Sequence, residues 1–152
     1  GGTFLFVNWL SMRHPRAQFS GERPRLPGQD APGLGLSREM TQLLVLMSER
    51  LKLDGVAFRP SWFHMAYAAR HTARFLDAAR QGRFEALCRD LRELPLLDAT
   101  HAVAEGRVLL DGAPYTWEPD EMVQFRDPTH APDDHHVVQQ VRDACRFTIS
   151  AP

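Results

Sequence analysis

The fold is decided by the stretch LSREMTQLLVLMSERLKLDGVAF, which runs from Leu36 to Phe58. Its apolar residues recur at helical spacing, at positions 36, 40, 43, 47 and 51. This spacing places them on one face and predicts an amphipathic helix over residues 37–53, with Ser37 as its N-cap and Glu39 in the first turn. We expect the apolar face of this helix to lie in the core. Asp54-Gly55 ends the helix, and residues 56–58 follow as a short strand.

The flanking sequence predicts further elements on both sides of this helix. Residues 3–12 are rich in aromatic and branched side chains and predict a buried strand, whereas the prolines and glycines of residues 13–36 predict a long loop. Downstream, Asp111-Gly112 lies between two short strand-like runs and predicts a β-hairpin. The remaining patterns predict helices at 61–71, 78–92, 95–105 and 137–145, and strands at 74–76 and 122–125.

These elements predict an α+β fold, a small mixed or antiparallel sheet packed with four to five helices. A chain of 152 residues fits one domain. We expect that domain to span residues 1–126, and residues 127–152 to form a loop or linker and a C-terminal helix that packs on the domain or serves as a tail.

Composition excludes several classes of protein. The net charge of −1 provides no global field that would gather nucleic acid or an anionic membrane. No apolar run approaches the ~20 residues of a membrane span. The two cysteines are far apart and no signal peptide precedes them, so we expect a cytoplasmic protein without disulfides.

The most informative chemical pattern is the glycine-rich segment that leads into the long helix, from Pro32 to Arg38. A helix N-terminus carries backbone amides without intrahelical partners and a partial positive charge. Glycine lets a phosphate approach the backbone closely. The segment therefore predicts a phosphate or pyrophosphate site, unless it is simply a turn that caps the helix.

The order of strand, glycine loop, long helix, strand, short helix and aromatic strand over residues 4–76 resembles the cofactor-binding half of the GNAT acetyltransferases. The run from Gln29 to Gly35 is similar to the family's Gln/Arg-x-x-Gly-x-Gly/Ala pyrophosphate loop, with one residue more. The resemblance implies that acetyl-CoA or another acyl-CoA is the cofactor. It implies a cofactor site formed by Gln29, Gly33, Leu34, Gly35, Ser37 and Arg38.

A later family pattern, Asn-x-x-Ala-x-x-x-Tyr-x-x-x-Gly-Phe, is similar to the spacing of Ala66, Arg70 and Phe75. The family's general-acid tyrosine falls on Arg70, and Tyr67 lies about one helical turn earlier. The resemblance implies acyl transfer to a small-molecule or peptide amine, with Tyr67 or Arg70 protonating or stabilising the leaving thiolate. The general base is not implied by any residue.

The rival hypothesis is a non-catalytic interaction or regulatory module of a larger bacterial protein, since the general-acid tyrosine is replaced and no earlier strands precede residue 4. Other chemistry is weakly indicated. His64 and His71 make a pair without a third ligand, and no metal is expected. No Gly-x-Ser-x-Gly elbow occurs. Arginines between residues 70 and 92 alternate with carboxylates, which favours a solvated helix face over nucleic-acid binding.

Overall fold

A computed structural model describes residues 2–8, 10, 13–33 and 36–151. The described residues contain five α-helices and two small sheets, so the predicted α+β class is confirmed. None of these helices is long and apolar enough to cross a membrane. The elements are β1 (Phe4–Val7), α1 (Ser37–Arg50), β2 (Gly55–Phe58), α2 (Phe63–Ala69), β3 (Arg74–Phe75), α3 (Ala78–Asp90), α4 (Leu96–Ala104), β4 (Val108–Leu110), β5 (Ala113–Pro114), β6 (Met122–Phe125), a 3₁₀ turn (Pro128–His130), α5 (His135–Ala144) and β7 (Phe147–Ile149).

The larger sheet has the strand order β1-β2-β6-β3. β1 and β2 are parallel, and β6 is antiparallel to both β2 and β3, so β3 runs in the same direction as β2. Asp54 joins the amino ends of β1 and β2, because its carboxylate accepts from the amide of Thr3 at 2.7 Å and its own amide donates to the Thr3 carbonyl at 2.7 Å. Val7 and Phe58 form the opposite, carboxyl edge of this pair.

The smaller sheet has the order β5-β4-β7, with both pairings antiparallel. Asp111 and Gly112 join β4 to β5 with φ values of 49° and 84°. Positive φ at both central residues defines the tight turn that matches strand twist, so the predicted hairpin is confirmed. β7 was not predicted. Residues 127–152 contact the rest of the chain through this strand, which pairs with β4, and through α5, which packs on α3.

The core is built around an aromatic cluster of Phe63, Phe75, Phe84 and Trp117, whose neighbouring ring centroids lie 5.3–6.3 Å apart. Edge-to-face contacts at this range add to the stability that burial gives. The core also contains Val56, Leu87 and Leu91, which are buried, and Phe58, which is partly buried.

The predicted burial of the apolar face of α1 is wrong. Leu36, Leu43, Met47 and Leu51 are 48, 49, 43 and 60 % exposed, and Met40 is only partly buried. The physical reason is the orientation of the helix. α1 contacts β1 and β2, but the one residue that it buries is Ser48, so the predicted apolar face is turned away from the sheet.

Candidate functional site

Topology places the N-terminus of α1 towards the carboxyl edge of β1 and β2. The helix contacts both strands and is followed directly by Asp54 at their amino ends. Its 14 residues span about 21 Å, more than the ~13 Å of a four-residue strand. Because a helix that connects two parallel strands runs back over the sheet between them, we expect the first turn of α1 to lie near the carboxyl edge of the pair. The carboxyl edge of such a pair is where α/β folds bind ligands.

The beginning of α1 differs in one respect from the prediction. Leu36 occupies the N-cap position without a side-chain hydrogen bond, and Ser37 is the first helical residue. Ser37 as N-cap is thus wrong, because its backbone is already helical and its carbonyl accepts from the Thr41 hydroxyl at 2.8 Å. Among the described residues, no acceptor is within hydrogen-bond reach of the amides of residues 37–39. These amides, with the exposed side chain of Arg38, remain available to an anion.

The loop before α1 contacts the rest of the molecule through residues that lie several positions before the helix start in the sequence. Gln29 closes its own turn, since its amide donates to the Leu26 carbonyl at 3.2 Å and its side-chain oxygen accepts from the Leu26 amide at 3.2 Å. Gly28 has φ of 78° and lies so close to Trp62 that a Cβ would overlap the indole ring. The carbonyl of Arg25 lies 3.1 Å from Nε2 of His101 on α4.

The predicted cofactor residues therefore fall into two groups. Ser37 and Arg38 are exposed at the helix start and Gly33 is partly exposed, whereas the Gln29 side chain is engaged in its own turn. Leu34 and Gly35 lie outside the described residues.

The two predicted catalytic residues contact each other. The guanidinium carbon of Arg70 lies 3.7 Å from the centroid of the Tyr67 ring, and Arg70 also donates to the Tyr67 carbonyl at 2.7 Å. α2 begins at the carboxyl edge of β2 and ends before the amino end of β3. Because β2 and β3 run in the same direction, Arg70 lies at the sheet edge opposite to the start of α1.

A cavity of about 340 Å³ lies at this opposite edge, between the sheet, α3 and α5. Sequence reasoning missed it because its walls come from three separate parts of the chain, and no local pattern signals their proximity. The lining residues that carry polar side chains are Arg70, His71, Thr72, Arg74, Gln81, Glu85 and His135.

Most charges around this cavity are paired. Arg74 donates to Asp134 at 2.8 Å, and Glu85 accepts from Gln81 at 3.0 Å and from Arg142 at 3.4 Å. Among the described residues, Arg70 forms no ion pair. The net charge around the cavity is therefore positive. A site of this size and polarity suits a small anionic molecule.

Neither the thiol of Cys88 on α3 nor the imidazole of His64 on α2, both partly buried, is prepared for nucleophilic chemistry. Burial raises the pKa of the Cys88 thiol to about 12, although Arg70 acts to lower it, so the thiol stays protonated at neutral pH. Burial lowers the pKa of His64, and the charge of His101 lowers it further. No group of three or more potential metal ligands occurs within the described part of the chain.

No protein-family model matches the chain, and neither does any curated protein or solved structure. The two sheet edges are therefore the features of the fold that bear on function.

Proposed function

We propose that this chain is an acyl-CoA-dependent N-acyltransferase-like domain that binds acetyl-CoA or another acyl-CoA at the carboxyl edge of β1 and β2. One observation carries the proposal, the parallel β1–β2 pair joined through α1, whose first amides have no acceptor among the described residues. The order of β1, α1, β2, α2 and β3 over residues 4–76 also supports the resemblance to the GNAT family.

The chemistry assigned to each part follows from its position. The amides of residues 37–39 and the guanidinium of Arg38 would hold the cofactor's pyrophosphate. The acceptor amine would attack the thioester carbonyl, and a carboxylate or water would take the amine proton. The C–N bond would form, and the C–S bond would break to release the thiolate. In this proposal the pantetheine arm carries the thiolate from the start of α1 towards α2, where the Tyr67 hydroxyl protonates it. Arg70 is better placed to orient the Tyr67 ring, which it covers at 3.7 Å, than to reach the start of α1.

Calorimetric titration of the chain with coenzyme A and with pantetheine tests the binding step. Pantetheine lacks the pyrophosphate, so we expect coenzyme A to bind at least tenfold more tightly. Arg38→Glu should weaken coenzyme A binding by about tenfold, because it places a carboxylate beside the pyrophosphate. The matched control is Arg126→Glu, an exposed charge reversal at the amino edge of the sheet, which should leave binding unchanged. Equal affinities for the two ligands would contradict the proposal.

The second candidate is a non-catalytic interaction module, which the exposed apolar face of α1 favours. The two candidate functions predict different results in an acylation assay. If coenzyme A binds but no amine in a panel of small molecules and peptides is acylated, and if Tyr67→Phe changes nothing, the domain keeps a scaffold without its activity. Acylation that Tyr67→Phe reduces would support the transferase.

A further inference from the structure

The exposed side of α1 carries a regular stripe of five residues, at positions 36, 39, 43, 46 and 50. The alternating spacing of three and four residues is that of a coiled-coil seam. Leu43 and Leu46 at its centre are 49 and 60 % exposed, and all five residues are exposed. A seam with leucines at its centre, on a helix that already has a buried side, indicates a second helix as its partner.

Four members of the stripe, at positions 39, 43, 46 and 50, are complementary to themselves when two copies are antiparallel. A two-fold axis between residues 44 and 45 places Leu43 opposite the second copy's Leu46 and Glu39 opposite the second copy's Arg50. Each carboxylate then faces a guanidinium, twice in the pair. Within the described part of its own chain, neither Glu39 nor Arg50 forms an ion pair.

The same charges disfavour the alternative pairings. Parallel helices in register would place Glu39 against Glu39 and Arg50 against Arg50. An antiparallel pair shifted by one residue would bring Glu39 opposite Glu49, or would place both charges opposite apolar side chains. Only the arrangement centred between residues 44 and 45 joins leucine to leucine and opposite charges at both ends.

From this complementarity we infer that α1 is a homodimer surface, occupied by α1 of a second copy in antiparallel orientation. The inference does not rest on the proposed cofactor site, because the stripe uses the side chain of Glu39 whereas the cofactor site uses the backbone amide of that residue. A single pair of 14-residue helices is a small interface, below the ~1,200 Å² of standard complexes. We therefore expect a reversible dimer with a dissociation constant of about 100 µM.

Sedimentation equilibrium of the full chain between about 10 µM and 1 mM tests this inference. The wild type should show a monomer–dimer equilibrium. Glu39→Arg and Arg50→Glu should each weaken it by about tenfold, since each creates two like-charge pairs. The double variant should associate as the wild type does. An equimolar mixture of the two single variants should form a heterodimer more tightly than either variant forms a homodimer.

The control is Glu93→Arg, a reversal of an exposed charge outside α1, which should not change the association. Leu46→Glu, at an exposed site that folding does not require, should abolish it. A chain that stays monomeric at 1 mM would overturn the inference. So would a dimer that neither charge reversal weakens, because its interface would lie elsewhere on the molecule.

Discussion

α1 and α3 are helices of similar length whose environments are opposite. α1 has the more regular apolar stripe, yet it buries only Ser48. α3 has charged residues throughout its sequence, yet it buries six of its thirteen residues. α3 is covered by α5 and by the aromatic cluster, whereas in the described part of the chain α1 packs chiefly on β1 and β2. Periodicity therefore predicts which side of a helix is apolar, but it does not predict whether another element covers that side.

The polar residues that α3 buries show what makes such burial possible. Arg80 is 6 % exposed, and its guanidinium donates to the Glu118 carbonyl at 2.6 Å and lies 4.7 Å from the Trp117 ring centroid. Gln81 accepts from the Phe75 amide at 2.9 Å. Hydrogen bonds and cation–π contacts offset the loss of water around these groups. The partners are distant in sequence or lie on another element, so the sequence of α3 does not reveal them.

The largest effect is expected at the centre of the aromatic cluster. Phe84 is 3 % exposed and contacts Phe63, Phe75 and Trp117. Phe84→Ala should lower the free energy of unfolding by about 3–5 kcal/mol, because it removes buried apolar surface and leaves a cavity. Urea denaturation measures the change. A loss below about 1 kcal/mol would show that α3 is not covered as described.

What the sequence could predict was local. The bounds of most helices and strands and the Asp111-Gly112 turn follow from spacing and turn chemistry within a few residues. The burial of α1, strand β7 and the cavity beside Arg70 depend on contacts between distant segments, which no window of sequence contains. Gln29 illustrates the same limit, since its side chain is engaged by a turn that the family-like pattern does not include.

A smaller change in stability is expected where α3 packs against α5, and its sign is informative. A Cβ added to Gly82 would lie 2.6 Å from the Val138 carbonyl oxygen and 2.7 Å from the Val141 Cβ. At an open helical site, glycine to alanine stabilises by about 0.5–1 kcal/mol. Here we expect Gly82→Ala to destabilise by about 1–3 kcal/mol, because α5 must move away. Stabilisation in the same urea measurement would contradict the close packing of the two helices.

The junction of α3 and β7 should be sensitive to pH. Asp90 accepts from the Phe147 amide at 2.8 Å and from Arg89 at 2.7 Å. Burial acts to raise the pKa of Asp90, but these hydrogen bonds outweigh it and the pKa is lowered. The ionised carboxylate therefore stabilises the fold at neutral pH, and this contribution is lost as the pH falls through the folded-state pKa, below about 4.

The Asp90→Asn variant distinguishes the stabilisation by the ionised Asp90 carboxylate from the effects of low pH on the rest of the protein. We expect it to lower the free energy of unfolding by about 1 kcal/mol at pH 7 and by less at pH 3, because the contribution of the ionised carboxylate declines once the pH falls below the unfolded-state pKa of about 4. Thermal unfolding of both proteins at the two pH values gives the comparison. An equal difference at pH 7 and pH 3 would mean that the charge of Asp90 contributes nothing to the junction.

The smallest loss of stability is expected on α1. A pair of leucines, one on α1 and one on α3, makes the comparison of the two helices direct. Leu87 on α3 is 0 % exposed and Leu43 on α1 is 49 % exposed, so the same change to alanine removes the same atoms from opposite environments. Leu87→Ala should cost about 2–5 kcal/mol, because its site cannot collapse fully, whereas Leu43→Ala should stay within about 0.5 kcal/mol. Both are measured by urea denaturation at about 1 µM protein, where we expect α1 to be unpaired. At about 1 mM, Leu43→Ala should become more costly, since the folded dimer that it weakens adds to the stability of the wild type. A large loss of stability for Leu43→Ala at 1 µM would show that the exposed stripe of α1 is covered within a single chain. The contrast between the two helices would then disappear.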